Sequence, residues 1–417
     1  MSHTAEIIAV GTEILLGNIA NTDAQMISQG LAPLGINVFW HTAVGDNPER
    51  LTEVLEIARK RADIIITTGG LGPTYDDMTK QTVCRVFGLE LELHRDILSG
   101  IRAFYEKNLH RTMPENNVQQ AQLPVGSTIF SNEMGTAPGC GFYKEGVHVL
   151  LLPGPPHECR AMFDRCAVPY LKALSSDVIV SHDIMTFGLG ESSVEELLHD
   201  KMVKMQNPTL ATYAKPCEVR LRATAKAASP EEAEAMLAPV VADVKTALGE
   251  YVYGTDVSGL EEACKLLLHE RGLTFATAES CTGGLIAKRI TSLPGSSAVY
   301  RGGVVSYWSS VKADVLDVPQ ALLDKYSAVS EPVAKAMAGE ARRITGADLA
   351  VSVTGVAGPD RDDRGNPVGL VYLALATSDG TVTRKLELGR RNRETIRELA
   401  ADHAFDLIRR YLVGLKI

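Results

Sequence analysis

Hydrophobic positions in the first 170 residues fall into two alternating patterns. Short runs rich in Ile and Val (Glu6–Val10, Asp63–Thr67, Val147–Leu152) end at Gly or Pro, as buried strands do. Between them lie stretches with the helical period. In PERLTEVLEIARKRA, Leu51, Val54, Leu55 and Ala58 recur at i, i+3, i+4 and i+7 behind Pro48, a natural first-turn residue. Strands alternating with helices predict βαβ units and a mostly parallel sheet, whose ligands bind at the carboxyl ends of the strands.

The pattern changes from about Ser175 to Gly254. Two helical segments, Glu191–Met205 and Pro230–Leu248, accompany two strand-like runs, Thr209–Tyr213 and Glu218–Ala223. In the second run Val219, Leu221 and Ala223 alternate with Arg220 and Arg222, the period of a half-exposed strand. This α+β module carries no cluster of chemically able residues and reads as a spacer or dimerisation element. Arg220, Arg222 and Lys226 make either a solvated face or a basic face for RNA. Alternation then resumes: a helix at Leu260–Glu270, strands at Leu273–Ala278, Val304–Tyr307, Leu349–Val353 and Leu370–Ala376, and a closing helix at Arg393–Leu412. The predicted domains are 1–172, 173–255 and 256–417. Two α/β domains with mostly parallel or mixed sheets are thus joined by a small α+β module, a division that suits 417 residues.

Composition narrows the function classes. With 45% hydrophobic and 22% charged residues the balance is that of a globular protein. Lys and Arg number 42 against 51 Asp and Glu, a net charge of −9, so no global basic field recruits nucleic acid. No apolar run approaches the roughly 20 residues of a membrane helix. The start, MSHTAEIIAVGTEIL, lacks the basic-then-apolar order of a secretory signal. Seven scattered cysteines without a CxxC pair argue against a disulfide framework or structural zinc, and a cytoplasmic protein is expected.

Candidate chemistry concentrates in the two α/β parts. In the first, four loops at predicted strand ends combine Gly or Pro with a carboxylate, amide or hydroxyl: Gly11–Asn18, Thr67–Thr79, Asn132–Gly139 and Leu152–Glu158. Such loops let backbone N–H groups approach phosphate, which makes Gly69, Gly70, Gly72, Thr79, Gly135 and Thr136 candidate ligand contacts. Asp77, and with it Asp46 or Glu13, is a candidate ligand for a divalent ion bridging to phosphate. Glu13 could instead cap a turn, and Asp46 could be the N-cap before Pro48. His157 is read as a helix cap without a catalytic role.

In the last part the strand LTFATAES runs into CTGGLIAKRI, read as a helix with Gly283 and Gly284 in its opening turn. Ser280 at this junction is either a helix N-cap or a nucleophile backed by N–H groups, Thr282 among the following residues. His269 and His403 both fall in predicted helices with polar neighbours, which disfavours a Ser-His-Asp triad. Tyr307 and Lys312, five residues apart on a predicted strand VVSYWSSVKADVLD, offer a Ser–Lys–Tyr arrangement for amide hydrolysis, with Lys312 as base if burial lowers its pKa. Thr354 and Gly355 in SVTGVAGP are further donors to a ligand. Cys281 is a chemical rival to Ser280 but reads as a buried thiol.

These residues carry a resemblance. GGLGPTYDDMT resembles the GGTGxxxxDxT loop of the domain that binds molybdopterin, with Asp77 on its aspartate. Asp76 stands where those proteins have a basic residue, and it should repel an anion unless metal intervenes. With VGTEILLGNIANTDA, GTAPG and LPGPPHE, the closer resemblance is to the competence/damage-inducible protein CinA family. It implies hydrolysis of ADP-ribose to AMP and ribose 5-phosphate with a divalent metal (Mg, Mn or Co, with K+ as an accompanying ion). TAESCTGG, VVSYWSSVKADVL, AVSEPVA, SVTGVAGP and NPVGLVY follow in order the pattern of the bacterial nicotinamide mononucleotide (NMN) amidase domain. That likeness implies conversion of NMN to nicotinate mononucleotide and ammonia without a cofactor. It puts the nucleophile on Ser280, the base on Lys312, supporting hydroxyls on Tyr307 and Thr354, and a phosphate-binding arginine on Arg393, with Arg390 and Arg391 as alternatives in register. It also implies a KH-like middle module and a homodimer, while charge and hydropathy set the expectation of no nucleic-acid and no membrane partner. A regulatory protein of competence and DNA repair, and a first domain that binds molybdopterin or a nucleotide without cutting it, are the competing expectations.

Overall fold

The computed structural model describes residues 3–174 and 178–417, so the start of the predicted middle module at 175–177 lies outside the described residues. Contacts group the chain into two compact units, residues up to 181 with 224–236, and 182–223 with 237–417. Among the described residues no helix is long and apolar enough to cross a membrane.

The first unit is built on a sheet of six strands. Thr4–Val10 lies centrally, with Asn37–Val44 on one side and Ile64–Thr68 on the other, followed by Val147–Leu152, Gly139–Lys144 and Thr128–Phe130. The first four of these run parallel and the last two are antiparallel additions. Alternate residues of the central strands feed two cores. Ile8 and Ile65 pack with Leu51, Leu55, Val83 and Phe87 of the helices Pro48–Ala58 and Thr79–Phe87. Ile7, Ile64 and Ile66 pack on the opposite face with Ile27, Leu31 and Phe163. Burial on both faces is why these runs read as continuously apolar.

The KH-like part has a four-stranded sheet in the order Thr209–Lys215, Glu218–Ala227, Val178–Phe187, Val252–Thr255, with helices Glu191–Lys204 and Pro230–Leu248. The alternation expected around Val219 continues through Ala227. Arg222 forms a two-pronged pair with Asp183 at 2.7 and 2.8 Å, and Arg220 stacks over Tyr213 at 4.8 Å.

The C-terminal sheet repeats the logic of the first. Phe275–Glu279 is central, with Tyr300–Val305 and Leu349–Gly355 parallel on either side, then Leu370–Thr377 and Gly380–Glu387 antiparallel. Helices Leu260–Glu270 and Arg393–Leu412 share a core with one face. Val333, Met337 and Ala341 of the helix Glu331–Thr345 pack with Ala276, Ala278 and Ala350 of the other. Lys312 departs from expectation: it sits on a short helix, Ser309–Asp314, because the preceding strand already ends at Val305. His403 departs as well. It packs edge-on against Phe187, and burial lowers its pKa to about 4.

Candidate functional site

In each sheet the strand after the central one pairs on its first side and the next pairs on its second side. The carboxyl ends of the central strand and its second neighbour therefore open on a crevice at a topological switch point. The candidate residues lie at these two crevices.

In the first unit a cleft of about 550 Å³ is lined by Gly69, Gly70, Gly72, Asp77, Asp46, Glu13 and Thr136 of the predicted set, together with Asp76, Gln120 and Glu158. Gly69 is required by geometry: its φ is +93°, and a Cβ would stand 2.2 Å from the Val10 carbonyl oxygen. Asp77 folds back into its own loop, its Oδ2 accepting from the Thr74 N–H at 2.8 Å and the Thr74 hydroxyl at 2.5 Å. Asp46 accepts from the N–H and hydroxyl of Thr12 at 2.9 and 2.8 Å, tying two strand-end loops together. The N-cap before Pro48 is Asn47, whose side chain accepts from Arg50 N–H, so the capping role considered for Asp46 falls to its neighbour. Glu13 lies back over Gly11.

Thr79 does not reach the cleft: it is fully buried and its hydroxyl donates to the Gly69 carbonyl at 2.9 Å, bracing the loop from behind. Gly135 lines an adjoining groove and donates its N–H to Asn132 at 2.9 Å. Glu158 went unassigned in the sequence, yet it faces the cleft and accepts from Asn132 Nδ2 at 2.6 Å. Its signal is position alone, two residues into the turn after LPGPP. His157 beside it is mostly exposed. Among the described residues no group of three or more His, Cys, Asp and Glu side chains is placed to hold a metal ion. Glu13, Asp46 and Asp77 share the cleft without forming a closed set of ligands.

In the C-terminal unit Ser280 follows the central strand and is gripped on both sides. Its N–H donates to the Val353 carbonyl at 2.9 Å, and the Ser306 N–H donates to the Glu279 carbonyl at 2.8 Å. Lys312 is 1% exposed, and its Nζ meets Ser280 Oγ at 3.0 Å and the Ser306 carbonyl at 2.6 Å. Burial lowers the Lys312 pKa to about 8. Burial pushes the neighbouring Cys281 thiol up to about 12, so it is an inert rival.

The turn after Ser280 is not a helix start. Residues 281–284 form a turn with Gly283 and Gly284 at φ +61° and +92°, and the helix runs over Leu285–Thr291. Its first N–H groups are already taken: the fully buried Glu279 carboxylate accepts from Ile286 and Ala287 at 3.1 and 2.9 Å. Arg397 fastens the turn from the last helix, donating to the Thr282 carbonyl at 2.8 Å. Neither Glu279 nor Arg397 stood out in the sequence.

Tyr307 and Arg393 form a second pair. Arg393 donates to the Tyr307 hydroxyl at 2.5 Å and to the Gly358 carbonyl at 2.6 Å, which places Arg393, rather than Arg390 or Arg391, beside the tyrosine. Arg391 bonds the Leu388 carbonyl, and Arg390 lines a cleft with Asp360 and Glu387. Thr354 is buried and donates to the Ala328 carbonyl at 2.7 Å, joining the AVSEPVA and SVTGVAGP segments.

Comparison with known proteins bears on the whole length. Three family descriptions match in order: a probable molybdopterin binding domain over 6–173, a damage-inducible protein CinA KH domain over 181–254, and a CinA C-terminal domain over 257–412. A CinA-like protein of Dictyoglomus turgidum is 45% identical over 98% of this chain and 99% of its own. The chain belongs to the CinA family. A relative from Acetivibrio thermocellus, whose name refers to competence and damage induction, is 47% identical over 99% of both chains. The crystal structure of a CinA superfamily protein from Klebsiella pneumoniae is 30% identical and covers 37% of this chain and 96% of that one, with a TM-score of 0.36. CinA membership accounts for the order of the three parts and for the position of the KH-like module between the two α/β domains.

Proposed function

We propose that this CinA protein is a two-headed hydrolase of pyridine-nucleotide metabolism: the C-terminal head deamidates NMN, and the N-terminal head splits ADP-ribose into AMP and ribose 5-phosphate. The observation that carries the first half is the contact of a buried lysine with a strand-end serine at 3.0 Å. A lysine desolvated to a pKa of about 8 has an appreciable neutral fraction near neutrality, as a general base requires. Neutral Lys312 takes the Ser280 proton as Oγ bonds to the carboxamide carbon. The carboxamide oxygen becomes an oxyanion beside the backbone of the 281–284 turn. Lys312 returns the proton to the nitrogen, ammonia leaves, and an acyl-serine ester remains. Water attacks the ester as Lys312 takes its proton and passes it to Ser280 Oγ, freeing the carboxylate. Arg393 spends two of its five N–H donors on Gly358 and Tyr307, so three remain for the substrate phosphate.

The N-terminal reading rests on the carboxylate and glycine lining of the first cleft. That donor set fits a divalent ion that takes one or two protein carboxylates and fills its shell with phosphate oxygens and water. When bound, such an ion neutralises the bridging phosphates and lowers the pKa of a water. Asp77 and Asp46 would hold it, Glu13 and Glu158 would orient a water from the same cleft, and the loop 70–72 would offer its amides to the phosphates, the Gly69 N–H being spent on the Leu152 carbonyl. Because Asp46 and Asp77 already secure loops, a head that holds a nucleotide without cutting it is the competing reading. A nucleic-acid-binding regulator fits less well, since Asp183 pairs with Arg222 on the alternating strand Glu218–Ala227.

Purified protein incubated with NMN and with ADP-ribose, with and without EDTA, tests both halves. Ammonia release should persist in EDTA and AMP release should stop. Loss of both in EDTA would sink the Ser–Lys mechanism, and no AMP with any of Mg, Mn or Co leaves the N-terminal head a binding domain. Salt-sensitive DNA binding would favour the regulator.

A further inference from the structure

One buried charge in the N-terminal head has no part in the chemistry above. Lys80 is 1% exposed, on the helix that begins two residues after Asp77. Its Nζ donates to two main-chain carbonyls, Gln119 at 2.7 Å and Gln120 at 3.2 Å. Burying an ammonium against neutral oxygens carries a desolvation cost that a methionine of the same length would not. The residues it grips are not idle. The Gln119 side chain donates to the carbonyls of Gly72 at 3.0 Å and Thr74 at 3.1 Å, and Asn116 donates to the Pro73 carbonyl at 3.0 Å. Three consecutive carbonyls of the loop that carries Asp77 are therefore held by side chains of the Glu115–Ala121 turn. Gln120 adds its side chain to the cleft wall.

We propose that Lys80 is a positioning residue of the N-terminal site: it clamps the 119–120 backbone, and through Gln119 it fixes the 72–77 loop in the shape that receives the substrate pyrophosphate. This rests on the reading of the cleft as a nucleotide site. The chain of contacts is Lys80 Nζ, the 119–120 carbonyls, Gln119 Nε2, the Gly72 and Thr74 carbonyls, and then Thr74, which holds Asp77 through its N–H and hydroxyl. Each link is directional, so loosening the first lets the carboxylate move while the fold stays whole. An ammonium makes the first link stronger than a neutral donor could.

The test uses the full chain with Lys80→Met, Gln119→Ala and the double variant. Three readouts are taken: the Kd of ADP-ribose by calorimetry without metal, AMP release with metal, and Tm. Each single variant should weaken ADP-ribose binding or slow AMP release by about 10–100-fold, the range for supports one shell behind a ligand. The double variant should be no worse than the worse single, because both break one chain. Lys80→Met should melt no lower than wild type, since it removes a desolvated charge. Wild-type binding and turnover in Lys80→Met, or losses that multiply in the double variant, would overturn the proposal. Should Lys80→Met melt early, Gln119→Ala alone decides, because its side chain is only half-buried. If wild type binds ADP-ribose but never releases AMP, the hydrolase reading fails and the binding data still judge Lys80.

Discussion

Both α/β heads place their candidate residues at the same spot, the crevice beside a central strand whose two neighbours were added in opposite directions. What fills the spot differs. The N-terminal crevice is an open cleft of about 550 Å³ walled by carboxylates and glycines, with its lysine buried behind the loop. At the C-terminal crevice the lysine comes forward to touch the serine, and the carboxylate, Glu279, is the group buried behind. One topology thus supports either a negative lining, suited to a cation and its phosphates, or an amine of lowered pKa next to a hydroxyl. The lesson is that the switch point sets where chemistry can occur, and the burial of one charge sets which chemistry.

The comparison breaks most visibly at Ser280. Ser280→Ala should lower ammonia release from NMN by about 10³ or more, as losses of covalent nucleophiles do, while AMP release stays at wild-type rate. A variant with normal Tm that still deamidates NMN would end the nucleophile assignment. Lys312→Arg sharpens the point. Arginine keeps the charge and cannot deprotonate, so about 10²-fold or more of the rate should vanish, nearly as in Lys312→Ala. Retained turnover would make Lys312 a binding residue.

Asp77→Asn should give the converse pattern, with AMP release down by about 10–100-fold and NMN deamidation untouched. Smaller again is the pH effect. With a pKa of about 8, about one Lys312 in ten is neutral at pH 7 and about nine in ten at pH 9. The deamidation rate should therefore climb roughly tenfold over that range. A flat profile would assign the base elsewhere.

The smallest effect is on stability. The folded state lowers the Lys312 pKa from 10.5 to about 8, so between those values the unfolded chain binds more protons and stability rises with pH. Below pH 8 the cost of burying the charge is complete. Lys312→Met should thus raise the Tm of this head most at pH 7, by about 2–4 °C per kcal/mol relieved, and the gain should fade toward pH 10.5. A gain that persists at pH 10.5 would point to packing instead.

How much of this could be read from the sequence follows from what each element buries. Strands covered on both faces, such as Ile64–Thr68 and Val147–Leu152, announce themselves as apolar runs. Asn37–Val44 and Gly380–Glu387 are edge strands exposed or half-buried along most of their length, with Phe39 and Val382 among the exposed residues, so no buried apolar run marks them and they did not stand out. Glycine-rich loops and the Ser280, Tyr307 and Lys312 motifs were legible because their residue types are unusual where they stand. Thr79 was misjudged because a hydroxyl that braces a loop from behind looks the same in sequence as one that faces a ligand. Glu158, Arg397 and the link from Lys80 to Gln119 depend on partners far along the chain, up to 115 residues away for Arg397 and Thr282, and no local pattern marks them. Glu279 bonds N–H groups only seven and eight residues on, but a carboxylate ending a buried strand does not show from sequence which way it turns.

Glu279 has a consequence for how the second site works from moment to moment. Its carboxylate does for the turn after Ser280 what a bound anion does elsewhere, and it is covalently part of the chain. The crevice therefore keeps its shape between turnovers and need not be rebuilt by each arriving molecule. Little ordering entropy is then owed on entry, so association should be quick and should need no ion to shape the turn first. On the proposed mechanism the proton on Lys312 sets the pace, so a fall in pH should slow the site while its preformed turn keeps its shape.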